Sequence, residues 1–184
     1  FIMKKLLFTA LAVFTCVAIN AQANFGLTAG YTNNNLKLDD GVDSESESFS
    51  GFNIGAFVDL SVSDSFSIQP ELVYSASSYK EEGVKVEYNL ISVNAMAKYH
   101  VSEAFSLMAG PQIGFASGNL VDIYDDGSDD FTKMNLQLAI GAAFNVTDNI
   151  FIQARYGIQL NDHFKVSGVD SSVNTLSIGA GYKF

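Results

Sequence analysis

From Phe25 to its last residue the chain alternates apolar and polar side chains with period two, and this alternation returns eight times. Successive side chains of an extended strand point to opposite faces, so period two is the mark of strands. The first run places Phe25, Leu27, Ala29 and Tyr31 on one face and Gly26, Thr28, Gly30 and Thr32 on the other. The second sets Phe52, Ile54, Ala56, Val58 and Leu60 against Gly51, Asn53, Gly55 and Asp59. Phe66, Ile68, Leu72 and Tyr74 then oppose Gln69, Glu71 and Ser75, and Ile91, Val93, Ala95, Ala97 and Tyr99 oppose Ser92, Asn94 and Lys98. In the second half Phe105, Leu107, Ala109, Ile113 and Phe115 oppose Gly110, Gln112 and Gly114. Leu136, Leu138, Ile140, Ala142 and Phe144 oppose Asn135, Gln137, Gly141 and Asn145. Ile150, Ile152, Ala154, Tyr156 and Ile158 oppose Gln153, Arg155, Gly157 and Gln159. The last run places Leu176, Ile178, Ala180, Tyr182 and Phe184 opposite Thr175, Ser177, Gly179, Gly181 and Lys183.

One face of every run is almost wholly apolar, and the other mixes glycine with amides, hydroxyls and charges. A soluble barrel or sandwich needs an apolar interior and a wet exterior. An apolar outside around a polar inside suits lipid as the outer solvent, and only a closed sheet satisfies every backbone group there. The expected fold is therefore all-β, a transmembrane antiparallel up-and-down β-barrel of eight strands. Aromatics near the run ends fit two interface girdles, Phe66, Tyr99, Phe105, Phe144 and Phe184 on one rim and Tyr31, Phe52, Tyr74 and Phe115 on the other.

The N-terminus reads as an export signal. Met3 is taken as the natural start, Lys4 and Lys5 form a positive region, and Leu6 to Ile19 is an apolar run of 14 residues. That run is shorter than the ~20 residues a spanning helix needs. Asn20-Ala21-Gln22-Ala23 supplies small residues for cleavage after Ala21 or Ala23, which leaves residues 24–184 as one barrel domain. The only cysteine, Cys16, falls in the removed part, next to a poor lipobox in Phe14-Thr15, so no disulfide is expected. The formal charge of −10 argues against nucleic acid as a partner.

Three connections between runs are short, Ser61–Ser65, His100–Ala104 and Val146–Asn149, and four are long, Asn34–Ser50, Ser77–Glu87, Ser117–Asp130 and Asn161–Ser172. Outer-membrane barrels turn tightly on the periplasmic side and loop widely outside, so the long segments are expected outside and both termini in the periplasm. The long segments carry Asp39, Asp40, Asp43, Glu45, Glu47, Asp122, Asp125, Asp126, Asp129 and Asp130. Tyr182 and the terminal Phe184 fit a C-terminal aromatic signal read by the outer-membrane assembly machinery. Outer-membrane lipid and that machinery are the expected partners, and the sequence names no external one.

Several segments are similar to the PorT-like, "porin family" outer-membrane barrels: Ser67-Ile68-Gln69-Pro70-Glu71-Leu72-Val73-Tyr74-Ser75, Ala97-Lys98-Tyr99, Ala109-Gly110-Pro111-Gln112-Ile113-Gly114-Phe115, Ala154-Arg155-Tyr156-Gly157 and Gly179-Ala180-Gly181-Tyr182-Lys183-Phe184. The resemblance spans essentially the whole mature chain and implies an integral outer-membrane barrel. It departs at Asn94, where fourth strands of such proteins often carry proline. Pro70 and Pro111 fall inside strands of a sheet without edges, where local bulges would accommodate them.

Strand parity places Asp59, Glu71, Lys98 and Arg155 inside. They line an ion path or form a buried network that plugs the lumen, and eight strands leave an interior only just wide enough for side chains, which favours the plug. Inward glycines such as Gly30, Gly55, Gly110, Gly141 and Gly179 suit a tightly curved wall. His163, after Asp162 in the fourth long connection, and His100, in a short turn, are the candidates for a lipid-modifying enzyme, but spacing alone brings no base to a nucleophile. Asp125-Asp126-Gly127-Ser128-Asp129-Asp130 is oxygen-rich but does not follow a calcium-loop pattern, so no metal is named, and no cofactor. The sequence thus favours a non-enzymatic barrel with a side-chain-filled lumen and acidic external loops in a structural, adhesive or surface-interaction role. A small porin-like conduit for ions or small solutes is the alternative.

Overall fold

The computed structural model describes residues 23–39, 44–81, 84–118, 121, 132–161 and 170–184. Eight strands fill nearly all of them: β1 (Ala23–Asp39), β2 (Ser44–Ser63), β3 (Phe66–Glu81), β4 (Val84–His100), β5 (Phe105–Ser117), β6 (Met134–Asn145), β7 (Ile150–Gln159) and β8 (Asp170–Lys183). Each pairs antiparallel with the next, and β8 returns to β1, so the sheet is a closed barrel. Among the described residues no helix is long and apolar enough to cross a membrane, and the strands do the crossing. Side chains of the apolar runs, among them Leu27, Ile54, Ile91, Leu107, Ile140, Ile152 and Ile178, stand exposed around the wall. The barrel closes between β1 and β8, and where Gly30 faces Gly179 a Cβ on Gly30 would lie 2.6 Å from the Gly179 Cα, so at that one point there is room for backbone alone.

Above the apolar band the two faces exchange polarity within the same strands. On β1 the outward series Phe25, Leu27, Ala29, Tyr31 continues as Asn33, Asn35 and Lys37, while the inward series passes from Thr32 and Asn34 to buried Leu36. On β2 outward Ser46, Ser48 and Ser50 precede Phe52, and Phe49 between them is buried. On β4 Lys85 is exposed while Val86, Tyr88 and Leu90 are buried. Leu36, Phe49, Val86, Tyr88, Leu90, Ala116, Val121 and Val173 form one apolar cluster, with Tyr79 packed against it. The lower half of the wall is built for lipid outside, and the upper half is built like a soluble barrel, apolar within.

This inversion corrects two expected loops. Asn34–Ser50 and Ser77–Glu87 are mostly strand, because β1 runs to Asp39 and β2 begins at Ser44, while β3 runs to Glu81 and β4 begins at Val84. Serine and glutamate alternating at Ser44–Ser50 read as a polar loop, although the register pairs Asn33 with Ser50 and Leu36 with Glu47. The turn expected at Ser61–Ser65 is also tighter, since β2 ends at Ser63 and β3 starts at Phe66. The N-terminal signal segment, the Asp125–Asp130 run, His163 and most of the acidic residues assigned to loops lie outside the described residues.

The bulges expected at the prolines are absent. The β2–β3 pairing steps from Phe57↔Glu71 to Leu60↔Ile68 in unbroken register and skips the residues opposite Pro70, whereas Pro70 still pairs with Ala95 on β4. Likewise Asn94↔Gln112 steps to Ala97↔Ala109, skipping Pro111, which pairs with Leu138 on its other side. A residue in an antiparallel strand directs its N–H and C=O to the same neighbour, so proline interrupts one ladder and leaves the other intact.

Candidate functional site

Among the described residues the buried charges, Asp59, Glu71, Lys98 and Arg155, all lie in the lumen. Arg155 on β7 reaches across it to Glu71 on β3 in a two-pronged ion pair, Nη1 to Oε2 at 2.5 Å and Nη2 to Oε1 at 2.6 Å. Both side chains are almost wholly buried, at 7% and 3% exposure. The fork geometry of guanidinium and carboxylate makes this the strong form of charged hydrogen bond. Asn94 Nδ2 donates to Glu71 Oε2 at 3.2 Å, and Arg155 Nη2 also donates to Gln153 Oε1 at 2.8 Å.

The other two parity-assigned charges form a second pair. Lys98 Nζ donates to Asp59 Oδ2 at 2.7 Å and to Gln69 Oε1 at 2.9 Å. Gln69 Nε2 in turn donates to Glu71 Oε1 at 2.5 Å. The four charges therefore lie in one chain, Asp59–Lys98–Gln69–Glu71–Arg155, with an amide as its middle link. Gln69 was placed on the inner face by its parity, but nothing in the spacing marked it as the connector. Charges removed from water need this degree of pairing, since an isolated buried ion is very costly.

Beside this chain lies an apolar layer that strand parity missed. Phe57, Met96, Met108, Ala139, Ala143 and Phe151 all point inward and are buried together. The inner face is therefore not uniformly polar as expected. Phe57 meets Phe151 edge to face at 5.6 Å between ring centroids, and Lys98 and Lys183 approach the Phe151 ring at 5.8 and 5.5 Å. Gly26 and Gly181 accommodate these rings, for a Cβ on Gly26 would stand 2.6 Å from Phe57 Cε1, and one on Gly181 would strike the Phe151 ring. The readable signal was an inward phenylalanine facing a glycine on the neighbouring strand.

From the long-hairpin end downward the lumen thus passes through the upper apolar cluster, a polar zone, the Glu71–Arg155 pair and the lower apolar layer to Lys98–Asp59. The polar zone contains a pocket of about 50 Å³, lined by Thr32, Ser75, Ser92, Asn94 and Arg155 and by apolar Val73 and Leu90, among others.

His100 is the last residue of β4 rather than part of a turn, and its ring bridges two serines, Nδ1 to Ser106 Oγ at 2.9 Å and Nε2 to Ser67 Oγ at 3.1 Å. Both hydroxyls are buried in the wall, so neither is open to a substrate. At the chain's end Tyr182 and Phe184 face outward and meet edge to face at 5.5 Å, and Phe184 N–H donates to the Phe25 carbonyl at 2.8 Å. Among the described residues no three metal-binding side chains come together.

Solved structures similar to this one include outer-membrane barrels. Ail, the attachment invasion locus protein of Yersinia pestis, superposes with a TM-score of 0.57 at 23% identity, over 88% of this chain and 99% of Ail. Neisserial surface protein A superposes with a TM-score of 0.51 at 22% identity, over 88% of this chain and 99% of that one. Identities this low carry the fold and no more. No curated protein matches the sequence. A family match spans residues 6–184, nearly the whole chain, under the description "Outer membrane protein beta-barrel domain", and the protein belongs to that family of outer-membrane β-barrels.

Proposed function

We propose that this is a non-enzymatic, non-conducting surface barrel whose outward hairpins and acidic connections meet partners outside the cell. The observation that supports this reading is a lumen occupied by side chains: an apolar cluster above, an apolar layer below and a chain of paired charges beside it. A barrel filled in this way offers its outer end as the functional surface and its interior as a support. The attachment sense in Ail's name accords with such a role, and we carry it here only as part of the proposal. The narrower likeness to PorT-like proteins rests on the quoted segments and belongs to the same proposal. The refolded full chain in planar bilayers should give no stable conductance. A steady conductance, with ion selectivity, would replace this reading with the small porin-like conduit.

The orientation belongs to the same proposal. It is supported by short connections at one end and by hairpins that extend past the apolar band at the other. Protease added to intact cells should cut within residues 118–133 or 160–169 and spare the short turns. Cutting only after the outer membrane is permeabilised would reverse the orientation. The same assay reads the assembly signal proposed for Tyr182 and Phe184: deleting Phe184 should strongly reduce the protein at the cell surface. Unchanged surface levels would leave the terminal aromatic as an ordinary strand residue.

A further inference from the structure

We infer that the three short turns are docking points for amine-bearing phospholipid headgroups, each meeting the ammonium with a carboxylate beside a membrane-seated valine. The turns repeat one pattern: Ser61-Val62-Ser63-Asp64-Ser65-Phe66, His100-Val101-Ser102-Glu103-Ala104-Phe105 and Asn145-Val146-Thr147-Asp148-Asn149-Ile150. Valine, a hydroxyl, an acid and one variable residue precede a large apolar residue that opens the next strand. Two of the turns close in the same way. Val101 and Ser102 N–H both donate to the Phe105 carbonyl, at 3.0 and 3.1 Å, and Val146 and Thr147 donate likewise to Ile150, at 2.8 and 3.0 Å. The hydroxyls cap them, Ser102 Oγ accepting from Phe105 N–H at 3.1 Å and Thr147 Oγ1 from Ile150 N–H at 2.9 Å. The β2–β3 turn is shaped instead by a register shift between Ser61 and Ser63, yet it carries the same valine and acid.

None of these turn-closing bonds uses the valine or the acid side chain, and both stand outward. Val62, Val101 and Val146 are 61%, 55% and 56% exposed, and Asp64, Glu103 and Asp148 are exposed beside them. By parity the valines continue the lipid-facing series, one outward position beyond Leu60, Tyr99 and Phe144. Two strand residues advance about 6–7 Å, which carries the valines from the aromatic belt into the headgroup region. An apolar side chain at that level gains by burial against lipid and nothing by standing in water. The turns' own charge selects the headgroup. No lysine or arginine stands in any of the three. Among the described residues the lysines at this end are Lys98 and Lys183, which face the lumen and donate to Asp59 and Asn145. Anionic headgroups are met by clustered lysine and arginine, the reverse of this rim. A primary ammonium brings N–H donors to a carboxylate, whereas a choline headgroup has none. The inference rests on the lipid contact of the wall, and not on the proposed surface role or orientation.

Lys183 also acts on Asp148 electrostatically, so the test is read at Glu103. The full chain is refolded in phosphatidylcholine nanodiscs, and phosphatidylethanolamine with the same acyl chains is added in steps while carbon NMR follows the side-chain carboxylates. Glu103 should shift, with a preference for ethanolamine over choline lipid of about two- to threefold, which is what an exposed ion pair supplies. Glu87, exposed on β4 far from the turns, should stay still. No shift at Glu103, or an equal one at Glu87, overturns the inference and leaves the non-conducting reading untouched. Free ethanolamine in the buffer should not move Glu103. The same shift from the free amine would mean that the membrane plays no part, and would also overturn it. Val101→Ser, which changes only an exposed side chain, should abolish the preference at Glu103 and leave Asp148 as in the parent. An unchanged preference in a folded V101S barrel would remove the valine from the site and sink the docking point as described.

Discussion

Arg155→Ala is expected to lose about 3–5 kcal/mol of barrel stability, the usual cost of leaving one member of a buried ion pair without its partner. The cause is less the loss of attraction than the stranding of Glu71, which is 3% exposed and has both oxygens in the fork of Arg155. Asn94 and Gln69 would remain as its only neutral donors. Replacing both charges, Arg155→Met with Glu71→Met, removes the stranded ion together with its partner and should recover most of the loss. Urea unfolding in lipid vesicles, followed by the heat-dependent gel mobility of the barrel, measures all three. A single variant as stable as the parent would show that water reaches Glu71, and the sealed lumen would have to be abandoned.

The second large effect concerns the two apolar layers. Neither Phe57→Ala nor Phe49→Ala alone should open the barrel, because the other layer still closes it. The two together should turn a silent protein into one with discrete conductance steps in a planar bilayer. Each truncation costs about 3–5 kcal/mol as a buried aromatic lost, so folding is checked by strand circular dichroism before recording. If Phe57→Ala conducts by itself, the upper cluster is no seal. If a folded double variant stays silent, closure is due to the Glu71–Arg155 crossing and not to the apolar layers.

The sequence made the outer wall readable and the interior only partly so. Lipid contact demands an unbroken apolar face, so Leu27, Ile54, Ile140 and Ile178 could be assigned by parity alone. Parity also placed Asp59, Glu71, Lys98 and Arg155 inside. It had no means of pairing them, since Arg155 and Glu71 are 84 positions apart and meet only when the sheet curls. Phe57 and Phe151 escaped because an apolar residue on a polar face looks like an interruption of the pattern. The long hairpins escaped for the opposite reason. Where the surrounding solvent changes from lipid to water the code for inside and outside is exchanged, and Ser44–Ser50 then reads as a loop.

The upper cluster has a consequence for the order of events in folding. Leu36 comes from β1, Phe49 from β2, Val86, Tyr88 and Leu90 from β4, Ala116 from β5 and Val173 from β8. No hairpin on its own contains enough of this set to bury it, and the first and last strands both contribute. Shielding these side chains from water therefore waits for β1 to meet β8. Closing the ring and drying the cap are one event, so the apolar cap acts as a latch that engages only on a completed barrel.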